Sequence, residues 1–148
     1  VVNSQLQIAA EKQAQFLYTD AVTRGKNCVN EKGEPVDCHF VNGAPWDRAR
    51  REGYPSTDVL EVLMGLGSDR IRTNRGDISD EEVIKILLDP LTYTVYGLFS
   101  SPPHAAALFN KDYTEIGVGC ALGPDHLVIA QTGSPAYFGV CIGNLGRR

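Results

Sequence analysis

The periodicity of the apolar residues changes along this chain, and that change constrains the fold more than any other feature. The first two thirds contain segments with helical periodicity, the clearest at residues 4–22, where Ser4 is a candidate N-cap. The last third contains apolar, β-rich runs at 115–121 and 126–132, separated by a Gly-Pro-Asp turn that is typical of a hairpin. Helices followed by strands predict an α+β fold in which helices cover an antiparallel sheet.

Turn-forming residues and caps divide the region between these segments into further elements. Ser79 and Glu82 form a capping box at the start of a helix that Pro90 ends. Residues 57–64 fit either a strand or a helix, because few of them are β-branched. The remaining predictions are helices at 46–52, 92–99 and 104–110, loops at 25–45 and 65–77, and a third strand at 137–142.

Length and charge exclude several classes of protein. The chain has 148 residues, the size of one ordinary domain, and 14 Lys and Arg residues against 18 Asp and Glu. This acidic balance disfavours a general nucleic-acid binder, which usually shows a basic excess. No apolar run approaches the roughly 18 residues that a membrane span needs. We therefore expect one domain, with no nucleic-acid partner and no membrane span.

The four cysteines, at positions 28, 38, 120 and 141, bear on disulfide pairing and on the compartment in which the protein works. They allow three pairings, of which Cys28–Cys38 with Cys120–Cys141 is the simplest. Two disulfides favour an exported protein, whereas the alternative is a cytosolic protein with four buried thiols. No two cysteines have the CxxC spacing, so the sequence gives little support for a structural zinc site.

The three histidines are candidates for metal binding or for general acid-base catalysis. His39 follows a cysteine at the end of a loop, and His104 follows a Pro-Pro break and begins a helix. Imidazole is a common metal ligand and a general base near neutral pH, although a single histidine is more often structural. His126 follows a turn and is interpreted as a surface residue. No nucleophile elbow is present, and Ser101 resembles a helix-end residue.

Two other patterns are interpreted as structural. Gly117 and Gly119 alternate within a predicted strand and precede no helix, which indicates close packing of the sheet and not a phosphate-binding loop. The arginines at 48, 50 and 51, like those at 70, 72 and 75, are accompanied by acidic residues. They are interpreted as solvated faces of the protein.

Six short segments, taken in order, resemble one protein family. They are His39-Phe40, PWDRA at 45–49, Gly53-Tyr54, Leu60-Glu61-Val62, SPPHA at 101–105 and LFNKDYTEIGVG at 108–119. Together they resemble the CAP superfamily, which includes cysteine-rich secretory proteins, insect venom antigen 5 and plant pathogenesis-related proteins. The bacterial branch is the most similar, and the last segment is the most specific signal.

This resemblance implies an α-β-α sandwich, a small antiparallel sheet flanked by helices, in a secreted protein with disulfides. It also implies a central cavity lined by two histidines and two acidic residues. In this chain His39, His104 and Glu61 match that set, and the two histidines are the expected ligands of a divalent metal, zinc in particular. The second acidic residue has no clear match; Ser101 lies near its expected position, and Asp89 is a less favoured substitute.

The chain departs from the family pattern in four places. Val62 replaces the Asn of the family's Gly-Glu-Asn motif, and Ala105 replaces the Arg that usually follows the last histidine. Residues 68–97 resemble an insertion, and the family's first helix has no counterpart in residues 1–148. These departures predict an altered cavity with weakened metal affinity.

The function expected from this resemblance is a secreted module that binds an undefined protein, lipid or small molecule. Its His/Glu cavity is the expected binding site for that ligand or for a metal ion. Two alternatives stay open: a metal-dependent hydrolase of peptides or esters that uses the same cavity, and a lipid- or sterol-binding protein. The family shares its fold more widely than any one activity.

Overall fold

The computed structural model describes residues 1–76, 78–87 and 101–147, without the side chains of residues 70 and 73–75. Its helices are α1 (Ser4–Arg24), α2 (Pro45–Arg51), α3 (Ser68–Arg75), α4 (Asp80–Leu87), α5 (Pro102–Leu108) and α6 (His126–Thr132). Its strands are β1 (Val59–Gly67), β2 (Glu115–Pro124) and β3 (Tyr137–Gly146), and Cys38–Phe40 forms a short 3-10 turn.

The three strands form one antiparallel sheet in the order β1-β3-β2. The last strand of the chain is therefore the central one, and almost all of its residues are buried. Opposite Asn144 of β3 lie Glu61 of β1 and Gly117 of β2. Helices pack on both faces of this sheet, so the predicted α+β sandwich with a small antiparallel sheet is confirmed.

Helix α1 lies directly on β2 because the strand presents small residues to it. A Cβ atom on Gly117 would lie 2.0 Å from the backbone nitrogen of Gln7, and one on Gly119 would lie 2.2 Å from that of Glu11. The two glycines occupy alternate positions, so both face the helix. The predicted close packing at these glycines is confirmed.

The largest core clusters lie on opposite faces of the sheet. On the α1 face, Ala10 and Ala14 pack with Phe138 and Ile142 of β3. On the opposite face, the apolar side of α4 packs against the sheet, and a Cβ atom on Gly139 of β3 would lie 3.3 Å from that of Leu87. Because side chains alternate along β3, successive residues face the two clusters in turn.

Several predicted boundaries are confirmed, and others are wrong. The helices at 4–22, 46–52 and 104–110 are present with small shifts, and Asn3 caps α1 in place of Ser4. The Ser79 hydroxyl accepts a hydrogen bond from the Glu82 amide at 3.2 Å, as the capping box predicted. The predicted helix at 92–99, and the predicted end at Pro90 of the helix that begins after Ser79, lie outside the described residues.

The predicted strand at 126–132 is wrong, because this segment forms α6. Asp125 caps the helix by accepting a hydrogen bond from the amide of Val128, and Gly133 ends it at a φ of 71°. A seven-residue apolar run does not distinguish strand from helix by periodicity, and here the caps decide.

The predicted loop at 65–77 is also wrong. Most of the ambiguous segment 57–64 belongs to β1, which begins at Val59 and continues to Gly67 before α3 begins at Ser68. Pairing with β3 along nine positions outweighs the low β-branched content of the segment. Helix α3 then ends at Gly76, whose φ is 76°.

Two disulfides are present, Cys28–Cys38 and Cys120–Cys141, as the simplest pairing predicted. Cys120 and Cys141 lie directly opposite each other on β2 and β3. The other bridge closes a loop that ends at the 3-10 turn containing His39. None of the helices in the described part of the chain has the length and apolar character needed to cross a bilayer.

Replacing Gly119 with alanine tests the contact between α1 and β2. The new methyl group would meet helix backbone, which cannot rotate away, so we expect a loss of about 3 kcal/mol in the free energy of unfolding, at the upper end for overpacking. Urea denaturation measures it. Gly65→Ala is the matched control, since its methyl group would meet only the ring of Phe138, at 3.3 Å. Equal losses in the two variants would contradict the packing argument.

Candidate functional site

His39 is held in the 3-10 turn immediately after the Cys28–Cys38 disulfide. The Asp37 side chain accepts a hydrogen bond from the backbone amide of His39 at 3.0 Å and so caps the turn. The imidazole Nδ1 lies 3.1 Å from Oε1 of Glu61 on β1. The His39 side chain is 29% exposed and that of Glu61 is fully buried, so one edge of the imidazole remains open to solvent.

Arg48 of α2 neutralises the buried carboxylate. Its Nη2 donates to Oε2 of Glu61 at 2.5 Å, and its side chain is only 4% exposed. Its Nη1 donates to the backbone carbonyls of His39, Val41 and Gly43. One guanidinium therefore connects α2, the turn that carries His39 and strand β1.

Asn144 of β3 completes the surroundings of Glu61. With the amide oriented to match its neighbours, its nitrogen donates to Oε2 of Glu61 at 3.2 Å and its oxygen accepts from the Ala10 amide at 3.3 Å. Asn144 is fully buried and lies opposite Glu61 in the strand register. Both oxygens of the Glu61 carboxylate are thus engaged by neighbouring side chains.

His104 lies on α5, which packs through Ala107 and Leu108 against the side chains of β1 that face away from Glu61. Burial lowers the pKa of His104, and the positive charge of His39 lowers it further. The pKa of His39 is raised, chiefly by its hydrogen bond to Glu61, while burial opposes the change. The two histidines therefore favour opposite charge states.

A family model described as the cysteine-rich secretory protein family, CAP, matches residues 1–142. The chain belongs to the CAP family. Among solved structures, an outer surface protein from Borrelia burgdorferi is similar, with 17% identity and a TM-score of 0.45 over 99% of this chain and 76% of that chain. The search of curated proteins finds no match. The predicted family is confirmed, and its bacterial branch stays a prediction.

This CAP domain brings two of the four predicted cavity residues, His39 and Glu61, into hydrogen-bond contact. His104 lies on α5. Ser101 is the residue before α5, where its carbonyl accepts from the Ala105 amide at 2.9 Å. Asp89 lies outside the described residues.

Two residues that surround Glu61, Arg48 and Asn144, were not predicted from the sequence. Arg48 was assigned to a solvated face, and that interpretation is wrong because its side chain is buried against Glu61. The signal was the spacing of the buried residues in α2, Pro45, Arg48 and Ala49, which places the arginine on the core side of the helix. Nothing local identified Asn144, which reaches Glu61 only through strand pairing.

The donor set for a metal is limited in the part of the chain that the structure describes. No group of three or more His, Cys, Asp or Glu side chains is placed there to hold a metal ion. Two imidazoles are available, while Glu61 is already held by Arg48 and His39. These described donors do not form a closed structural zinc site, because such a site needs four ligands.

Replacing Arg48 with methionine tests the buried ion pair. Glu61 would keep a buried charge without its cation, so we expect a loss of about 3–5 kcal/mol in the free energy of unfolding. Arg51→Met is the control, because Arg51 is exposed on the same helix. Urea denaturation measures the free energy of unfolding of both variants. Equal losses would show that the Arg48–Glu61 ion pair contributes no more to stability than an exposed arginine does.

His39 and His104 should have different pKa values in chelator-treated protein. NMR should place the pKa of His39 above, and that of His104 below, the ordinary value of about 6.5. His39→Ala should raise the pKa of His104, since a nearby positive charge is removed. Glu61→Gln should lower the pKa of His39, since its hydrogen-bonded carboxylate is lost. An unchanged His104 pKa in His39→Ala would refute the proximity of the two rings.

These shifts have opposite effects on stability. The raised pKa of His39 gives stability that is fully present below about pH 6.5 and is lost as the pH rises through its folded pKa. The lowered pKa of His104 gives stability that is present above about pH 6.5 and is lost as the pH falls through its folded pKa.

Proposed function

We propose that this CAP domain is a secreted binding module, and that its His39/His104 cavity binds a divalent transition metal of the zinc class. The observation that carries the proposal is the hydrogen bond between His39 Nδ1 and Glu61. A carboxylate at one ring nitrogen fixes the orientation of an imidazole and leaves the other nitrogen for a ligand. His104, whose neutral form is favoured, offers a second imidazole.

The function of Glu61 in this proposal is to orient His39. Its Oε2 is bound by Arg48 and its Oε1 by His39, so using the carboxylate as a metal ligand or general base would break a buried ion pair. This cost favours binding over hydrolysis. When bound, the metal would supply a Lewis acid with open positions for a ligand group.

Two disulfides support the proposal of a secreted protein, because such bonds persist mainly in oxidising compartments. The lipid alternative gains no support from the apolar cavity beside Phe138. That cavity, lined in part by Leu17 and Leu63, measures about 60 Å³. Pockets for drug-sized ligands are several times larger, about 300 Å³ or more.

Zinc titration by calorimetry at neutral pH tests the proposed site. We expect binding by the wild-type domain and a loss of at least about tenfold in affinity in His39→Ala and in His104→Ala, since each removes one of two ligands. His126→Ala is the matched control, because His126 is exposed at the start of α6. Affinity should also fall on acidification, because protons compete for the imidazoles.

Three outcomes would change the proposal. Equal zinc affinity in the wild type and in the double variant His39→Ala/His104→Ala would place any metal elsewhere. Absence of zinc binding by the wild type would remove the metal from the proposal. Metal-dependent cleavage of peptides or esters that Glu61→Gln abolishes would favour the hydrolase alternative.

A further inference from the structure

A groove lies between the outer side of α1 and the segment 28–42, away from the residues predicted for the CAP cavity. It measures about 400 Å³. Apolar side chains from both sides line it, namely Phe16 of α1 and Val29, Val36, Phe40 and Val41 of the segment. Residues 28–36 form a short two-stranded ribbon on one side of this space, which we call the hairpin groove.

Large aromatic side chains at the hairpin groove are exposed. Phe16 is 39% exposed and Phe40 is 53% exposed. Phe40 also packs edge-to-face on Trp46 of α2, with ring centroids 6.0 Å apart, and Trp46 is 37% exposed. Single exposed apolar residues are ordinary in a folded domain, whereas a connected apolar patch is typical of an interaction site.

The ribbon side of the groove is held by local bonds. The Cys28–Cys38 disulfide closes it. Within it, the side-chain oxygen of Asn30 accepts hydrogen bonds from the backbone amides of Lys32 and Glu34, at 2.9 and 3.0 Å. A wall that is already ordered loses little conformational freedom when a ligand binds, which favours affinity.

One edge of the ribbon is placed for backbone pairing. Val29 and Pro35 form an isolated antiparallel bridge with one hydrogen bond on each side, at 2.9 and 3.0 Å, so the amide and carbonyl of Val29 point away from Pro35. Neither group has a backbone partner among the residues that the structure describes. Val29 and the adjacent Asn30 both line the groove, which indicates that the edge of this strand borders it. An extended peptide can add to such an edge.

The charges at the groove favour a basic partner. On the α1 side, Arg24 and Asp20 form an ion pair at 3.1 Å, so their charges cancel. On the ribbon side, Glu31 is exposed and has no ion-pair partner in the described part of the chain. The loop 28–38 contains three acidic residues and one lysine. A Lys or Arg side chain of a partner would therefore be attracted to this end of the groove.

We propose that the hairpin groove binds an extended segment of a partner protein that carries an apolar anchor side chain and a neighbouring Lys or Arg. The anchor lies between Phe16 and Phe40, the peptide backbone pairs with Val29, and the basic side chain meets Glu31. Backbone pairing supplies affinity in this mode of recognition, and the side-chain contacts supply specificity. The site does not depend on the proposed metal.

Selection from a library of random heptapeptides on the whole domain tests the groove and supplies the probe peptides. We expect the enriched peptides to have apolar residues at alternate positions and a Lys or Arg between them, because alternate side chains of an extended peptide face the same way. Calorimetry then measures the dissociation constant of each enriched peptide. Its affinity should be unchanged in His39→Ala/His104→Ala, which tests the metal site separately.

Matched variants locate the bound peptide. Phe16→Ala and Phe40→Ala should each weaken it about tenfold, as expected for the loss of one anchor contact. Phe109→Ala removes a ring that is 74% exposed outside the groove and should have little effect. Glu31→Gln should weaken binding about threefold, whereas Glu81→Gln makes the same change of charge on α4 and should not.

The backbone contact has its own measurement. The amide of Val29 should exchange its hydrogen more slowly in the complex, because the peptide supplies a carbonyl acceptor. The amides of an extended peptide point alternately to its two edges. Methylating the backbone nitrogens along the paired edge should therefore weaken binding about tenfold or more, while methylating those along the other edge should have little effect.

Four results would overturn the proposal. The first is a selection in which no peptide is enriched, and the second is unchanged affinity of the enriched peptides in both Phe16→Ala and Phe40→Ala. The third is peptide binding that leaves the hydrogen exchange of Val29 unchanged. The fourth is binding to phosphatidylcholine vesicles that is lost in Phe16→Ala/Phe40→Ala, which would assign the aromatic patch to a membrane surface. The replaced side chains are all exposed or partly exposed, so loss of the fold does not obscure these outcomes.

Discussion

The buried ion pair between Arg48 and Glu61 connects the parts of this CAP domain that form its candidate site. A charged group removed from water is tolerated only when it is paired and hydrogen-bonded. Glu61 is fully buried. Arg48 neutralises its charge and also donates hydrogen bonds to three backbone carbonyls of the 39–43 segment. The position of the His39 turn relative to strand β1 therefore depends on this one guanidinium.

Sheet register decides whether the pair can form. Glu61 lies opposite Asn144, and the two side chains share the face on which α1 packs. A shift of one residue in β1 would turn Glu61 to the other face, away from Arg48. The glycines of β2 set the distance of α1 from the sheet, which brings Ala10 to the Asn144 amide. The packing of α1 on β2 therefore helps to determine the geometry around Glu61.

Local signals in the sequence predicted most helices, both disulfides and the family. Amphipathic periodicity in 4–22 and the Ser79 cap are short-range features, and each corresponds to an observed element. The same signals failed at 126–132, where a short apolar run between Asp125 and Gly133 is compatible with either structure. They also left 57–64 undecided, because a strand at that position depends on a partner about eighty residues later.

The sequence by itself determined the family, the fold class and the candidates His39, Glu61 and His104, because motifs and residue types are local properties of the chain. Only the tertiary structure decided that Arg48 is buried and pairs with Glu61, and that Asn144 completes the carboxylate's surroundings. It also decided that the Nε of Arg48 is buried without a hydrogen-bond partner among the described residues. These features arise from contacts between distant segments, and the burial that gives them their energies exists only after the sheet and helices have packed.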